Sequence, residues 1–190
     1  GFFADARQEA QAVVKIMAGR ELGFSEIASM TGIYVINGRV TVGAHLMAAA
    51  VKKSGRYDYR VLQMDETACE IEFFQEKESI GKSKFTIQEG RKAGTKNLDK
   101  FPRNMLFARA MSNGVRWYCP DVMGGNAVYT PEEMGADVDG EGNVVDAQYV
   151  EVAQPTQIAA PVGFTEPLAT PSMVDKVESL AAAYYRSEWN

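Results

Sequence analysis

The stretch 101–118, F-P-R-N-M-L-F-A-R-A-M-S-N-G-V-R-W-Y, constrains the fold of this chain more than any other. Pro102 suits the first turn of a helix, where its missing N–H is not needed, and Asp99 just upstream is placed to cap it. Met105, Leu106, Ala108, Met111, Ser112 and Val115 then recur at the three-and-four spacing of a core-facing stripe, so another layer has to pack on it. Arg109 and Arg116, two turns apart, fall together on a different face, and Arg103 sits on the first turn at a third angle. Trp117 and Tyr118 follow at once, and Pro120 closes the segment.

The chain around this helix has 190 residues and 46% hydrophobic content, room for one well-packed domain plus an appendage. Its apolar runs are short and broken by charge, so no membrane span and no membrane partner are expected. The first residues lack the charged, apolar, small-residue order of a signal peptide, and the chain opens on Gly1 rather than Met. Cys69 and Cys119 lie far apart and match no metal or redox spacing, which points to free thiols in a reducing cytoplasm. His45 is the only histidine, so His-based metal sites and His-containing triads are nearly unavailable, and its expected place is packed or at the surface.

Net charge is −5, but the two parts of the chain differ in sign. Residues 1–120 hold 18 of the 20 Lys and Arg against 13 acids, and residues 121–190 hold 2 against 12. The acidity therefore belongs to the tail. A basic body offers phosphate affinity where its cations cluster, while the tail can equally serve solubility.

In chain order, residues 5–20 have the spacing of an amphipathic helix with Ala6, Ala10, Val13, Val14, Met17 and Ala18 apolar, ending near Gly19 or Gly23. Ser25 caps a short second helix that stops before Thr31-Gly32. Residues 33–36 and 39–42 flank Asn37-Gly38, a dipeptide that readily takes the positive φ angles of a two-residue hairpin. A helix over 43–53 ends at Ser54-Gly55. Strands at 57–64, 69–75 and 82–88 would join the hairpin in one antiparallel sheet of about five strands. A helical piece at 88–93 and a polar loop at 94–100 lead into the central helix. After Pro120 come a Gly-Gly turn and a T-P-E-E helix start with Thr130 as cap and Pro131 at the first helical position. Asp137, Asp139, Glu141 and Gly142 resemble the start of a calcium loop, but Gln148 stands where the last ligand should be, and D-G-E-G-N reads as a turn. Residues 154–171 have a Pro, Ala and Thr-rich linker composition, and 172–185 can form a short amphipathic helix with Met173, Val177, Leu180 and Ala181 on one face.

Two basic clusters interleave with aromatics, the pairing that single-stranded nucleic acid requires. One is the central helix with Arg103, Arg109, Arg116 and Trp117; the other is Lys52, Lys53, Arg56 and Arg60 with Tyr57 and Tyr59. Lys92, Lys96 and Lys100 could extend the phosphate track. Each cluster also has a plain structural explanation: a solvated Arg face on a core helix, lysines favouring a helix C-terminus, tyrosines packed in a strand.

The run P-R-N-M-L-F-A-R-A-M-S-N-G-V-R followed by V-Y-T-P-E-E-M resembles the phage single-strand annealing recombinases of the RecT and Red-beta kind, and L-G-F-S-E-I-A-S-M-T-G-I-Y-V-I-N-G-R-V is similar to that family's first helix–turn–hairpin unit. The resemblance covers roughly residues 10–135. It implies an α+β fold, a small antiparallel sheet (a hairpin plus about three strands) braced by helices; the acidic tail from about 150 lies outside the resemblance. Residues 1–150 would form the DNA-binding and oligomerisation domain, 151–171 a linker and 172–190 a C-terminal helix. The implied activity is ATP-independent annealing of complementary DNA strands during recombination, without catalytic residue, metal or cofactor, in a bacterial cytoplasm with a phage or prophage origin. The implied partners are single-stranded DNA, the duplex intermediate, further copies in a ring or helical filament, and a partner exonuclease or host single-strand-binding protein through the tail. Arg103, Arg109 and Arg116 match family positions whose basic residues contact the DNA backbone, while Asn104 and Phe107 stand where some members are basic. That departure shifts weight to Lys52, Lys53, Arg56 and the 92–100 loop.

Annealing needs no nucleotide fuel, because new base stacks supply the energy. The chain has no phosphate-binding P-loop: Gly81-Lys82-Ser83 is preceded by Glu76 where the motif needs its first Gly. The alternatives are a single-strand-binding protein that does not anneal, a metal-dependent nuclease using Asp65, Glu70, Glu72 or Asp121, and an oligomeric scaffold whose basic patch meets an acidic protein surface.

Overall fold

The computed structural model describes residues 9–126, 128–140 and 142–146, and the expectations for the linker and the C-terminal helix lie outside them. The described part is α+β, with five α-helices and three small antiparallel sheets. Ser25 accepts from the Ala28 amide at 3.3 Å and caps α2 (Glu26–Gly32), which runs two residues further than its sequence implies and follows α1 (Glu9–Glu21). Asn37 and Gly38 take φ of 51° and 74°, which closes β1 (Ile33–Ile36) onto β2 (Arg39–Val42). After α3 (Ala44–Lys53), strands β3 (Tyr57–Met64), β4 (Ala68–Gln75) and β5 (Glu78–Thr86) form a three-stranded meander.

The hairpin does not join that meander, so the expected five-stranded sheet is two sheets. The Val42 amide donates to the Tyr129 carbonyl at 3.0 Å and the Gly43 amide to the Gly32 carbonyl at 2.8 Å, which occupies the hairpin's groups from outside the meander. The third sheet pairs β6 (Asp137–Val138) with β7 (Val144–Asp146) on either side of the expected turn at 139–143, where the Asp139 amide donates to the Asn143 carbonyl at 2.9 Å. Strand β5 starts four residues before the expected 82 because Glu76 and Lys77 turn the chain with φ of 49° and 75°, a conformation their side chains do not advertise.

Thr86 starts α4 (Ile87–Lys92) with a reciprocal capping box to Glu89. Helix α5 (Pro102–Tyr118) then crosses the inner face of the meander. Met105, Leu106, Ala108, Met111, Ser112 and Val115 are all buried, as their spacing requires. Close approach depends on Gly114, where a Cβ would lie 2.0 Å from the ring of Phe73, itself wholly buried. At Gly81 a Cβ would lie 2.2 Å from the Tyr118 ring, and the Tyr118 hydroxyl donates to the Lys82 carbonyl at 3.1 Å. Asp99 is not the cap: Phe101 holds that position without a side-chain bond, and Asp99 lies 3.8 Å from Arg91 instead.

Helix α1 packs with the opposite face from the one its periodicity suggests. Val13 and Met17 are 53% and 64% exposed, whereas Lys15 is buried, donates to the Met30 carbonyl at 2.6 Å and lies 5.1 Å from the Tyr34 ring centre. The cause is the close seat of Gly19 on α2, where a Cβ would meet Ser29 Oγ at 1.7 Å.

Candidate nucleic-acid interface

The cations singled out in the sequence form two groups along α5, which spans roughly 26 Å at 1.5 Å per residue, and a third on α3 and β3. At its N-terminal end, Lys100 and Arg103 line a shallow concavity of about 340 Å³ with Glu66, Phe101, Pro102 and Asn104. Arg103 lies 3.9 Å from Glu66, with both side chains more than half exposed, and Lys100 is exposed with no ion pair among the described residues. Lys96 lies 3.6 Å from Asp137, and Asn97 in the same loop donates to the Val138 carbonyl at 3.2 Å. These two contacts hold the 94–100 loop beside the helix start. Lys92 is exposed one turn earlier.

The second group is Arg109 and Arg116, the positions that the family resemblance assigns to DNA-backbone contact, and both are engaged within the chain. Both guanidiniums reach Glu133, which is 3% exposed, at 3.5 Å and 3.1 Å. Arg116, 19% exposed, also donates to Ser112 Oγ, to Asn113 Oδ1 at 2.6 Å and to the Val128 carbonyl at 3.2 Å, and its guanidinium lies 4.7 Å from the Tyr129 ring centre. Arg109, 29% exposed, lies 5.4 Å from the Phe85 ring centre. Their carboxylate partner comes from a 3-10 turn at Glu132–Met134. Thr130 does not cap this turn; it is buried, the preceding position falls to Pro131, and Gly135 ends the turn at φ 82° before an α-helix can form. The network is incompletely paired, since Arg109 Nε, Thr130 Oγ1 and Glu133 Oε1 are buried without a hydrogen-bond partner among the described residues.

Near the C-terminal end of α5, Trp117 is 58% exposed and meets Tyr118 edge to face at 6.3 Å. The second basic cluster lies on α3 and β3. Lys52 pairs with Asp58 and lies 4.9 Å from the Tyr59 ring centre, and Lys53 donates to the Gly23 carbonyl. Arg56 lies 3.4 Å from Asp121 and donates to the Tyr57 hydroxyl at 2.7 Å. Tyr57 is buried, so it is a packed strand tyrosine rather than an open stacking surface. Arg60 stands on the outer face of the meander over Phe74, and the register sets Arg60, Glu72 and Lys82 side by side across three strands.

The four acids considered as metal ligands are spread apart. Asp65 accepts from Gln63, Thr67 and Ala68 within the β3–β4 turn, and the Thr67 hydroxyl chief among these holds its carboxyl well below the usual carboxylate range. Glu70 pairs with Lys84 at 3.1 Å, Glu72 accepts from Ser79 at 2.7 Å, and Asp121 faces Arg56. Among the described residues no group of three or more His, Cys, Asp or Glu is placed to hold a metal ion. Both cysteines are buried free thiols, pushed by burial up to about 11 at Cys69 and about 12 at Cys119. No described helix is long and apolar enough to cross a membrane.

Sequence reasoning missed Glu133 as the partner of the helix arginines. The only signal was the pair of acids in T-P-E-E, which also fits an ordinary helix start. No family model matches this chain, and no curated protein matches it at a significant level.

Proposed function

We propose that the chain is an ATP-independent single-strand DNA annealing protein of the RecT and Red-beta kind, working in the cytoplasm as a homo-oligomer. The observation that carries this reading is the basic corner at the N-terminal end of α5, where Lys100 and Arg103 line a shallow concavity and Lys96 lies in the loop that leads into it. The ion pairs of Lys96 and Arg103 are long and solvent-exposed, and exposed pairs contribute about 0–1 kcal/mol, so phosphates can displace the carboxylates at little cost. Lys52, Arg56 and Arg60 supply the same kind of contact along α3 and β3, and exposed Trp117 offers a face for a base.

Magnitude assigns Arg109 and Arg116 a different part. Breaking a buried pair costs about 3–5 kcal/mol, more than a single phosphate contact returns, so the two arginines brace α5 against the 130–135 segment. DNA is then held by the outer cations, with its pairing edges left to a complementary strand. The acidic tail, the annealing-recombinase-like arrangement of subunits, and a partner exonuclease or host single-strand-binding protein complete the proposal.

The test is annealing of two labelled complementary oligonucleotides without ATP across a salt series. Wild type should accelerate annealing. Lys100→Ala with Arg103→Ala should weaken single-strand binding and flatten the salt slope by about 1.4, at about 0.7 per lost contact. Binding without acceleration would leave a plain single-strand-binding protein, and the absence of both would end the nucleic-acid reading.

A further inference from the structure

Beside the Arg109–Glu133–Arg116 network is a second buried acid that has no such partner. Glu132 is 8% exposed and enters no ion pair among the described residues; Arg109, already engaged by Glu133, attracts it only from a distance. It borders a cavity of about 140 Å³ between the first turn of α3 and the first turns of α5. Met105, Phe107 and Ala108 form the apolar lining, and His45 and Asn104 contribute the other polar groups.

We propose that this cavity binds an alkylammonium or guanidinium group, with the Glu132 carboxylate as its counter-ion. The chemistry selects this class. A carboxylate removed from water without a counter-ion is costly, and a cation brought to it recovers that energy. An anion would meet both Glu132 and Glu133. A divalent metal would want at least three donors of the His, Cys, Asp or Glu kind, and no such group exists among the described residues. The volume equals that of about five waters at roughly 30 Å³ each, enough for a cationic head with two or three methylenes against the apolar lining. The Phe107 ring adds an aromatic wall of the kind that favours cations.

The site also couples binding to a proton. Burial pushes Glu132 up to about 7, so at pH 7 about half of the sites carry a proton that a bound cation must displace. The charged groups around Glu132 are Arg109 from α5 and Glu133 from its own turn, and His45 from α3 is the other titratable side chain, drawn below its ordinary range by partial burial. This inference does not depend on the DNA reading. The cationic group can come from a free diamine or from a Lys or Arg side chain of a second copy.

The experiment is calorimetric titration of the full chain at pH 7 with 1,4-diaminobutane and with methylguanidinium, at constant ionic strength, in two buffers of different protonation enthalpy. Saturable one-to-one binding, release of about half a proton per site, and at least a tenfold loss of affinity in Glu132→Gln are expected. Thermal melting of Glu132→Gln, expected to be no less stable than wild type, separates loss of the site from loss of the fold. Sedimentation identifies the source: an assembly that both diaminobutane and Glu132→Gln dissociate places a second copy's side chain in the cavity, and an unchanged coefficient indicates a free amine. If diaminobutane and methylguanidinium give no saturable heat and Glu132→Gln leaves the assembly intact, or if Glu132→Gln binds them as well as wild type, the proposal is overturned.

Discussion

Replacing Glu133 with Ala would leave two guanidiniums facing each other in a place built for their shared carboxylate. Glu133 is 3% exposed, and it receives Arg116 at 3.1 Å and Arg109 at 3.5 Å. Removing one partner of a buried pair costs about 3–5 kcal/mol. Arg109 and Arg116 retain 29% and 19% exposure, so water recovers part of that, and Arg116 keeps Ser112, Asn113 and the Val128 carbonyl. A net loss of about 3 kcal/mol is expected, which for a chain of this size is a fall of about 6–12 °C in Tm. The comparison is Glu66→Ala, which breaks the exposed 3.9 Å contact to Arg103 and should cost less than about 1 kcal/mol. Urea unfolding followed by far-ultraviolet circular dichroism measures both. If the two variants lose the same small amount, the Glu133 network does not brace α5, and the arginines become available to phosphate after all.

Two further perturbations test the fold and the buried acid. Gly114→Ala puts a methyl 2.0 Å from the Phe73 ring and should cost about 1–3 kcal/mol in the same unfolding assay, with Phe73→Leu in the Ala background returning part of it. Glu132 has its folded value raised from 4.5 to about 7, so its neutral form is the one the fold prefers. Stability from this group is therefore fully present below pH 4.5 and is lost as pH rises towards 7, a decline of roughly 3 kcal/mol at most. Glu132→Gln should flatten the stability profile over that window, and a profile as steep as wild type's would show that another group carries it.

The buried Glu133 network changes how the charge pattern of α5 should be understood. A helix with arginines two turns apart presents either a row of phosphate contacts or a clamp on a carboxylate, and the residue types are the same in both cases. What separates them is desolvation. Arg103 meets Glu66 in water, where the pair exchanges readily for a phosphate, while Arg116 meets Glu133 under Tyr129, where exchange would strand a buried charge.

What could be read from the chain alone is what local sterics and periodicity control. Asn37-Gly38 tolerates positive φ at both positions and sets the first hairpin; Ser25 caps α2; and the spacing from Met105 to Val115 places one buried stripe on α5. Each of these signals acts within a few residues, so no distant segment was needed to reveal it. Only the tertiary structure decided that α1 turns Val13 and Met17 outward while burying Lys15, because the seat of Gly19 on Ser29 determines which face meets α2. It also decided that the hairpin stands apart from the meander, since Tyr129, far along the chain, bonds Val42. The same holds for the candidate site. Whether an arginine faces solvent or a carboxylate depends on which remote segment folds over it, and Glu133 reaches Arg116 from 17 residues away. Charge content is a property of the sequence; the dielectric around each charge, and therefore its availability to a ligand, comes from packing.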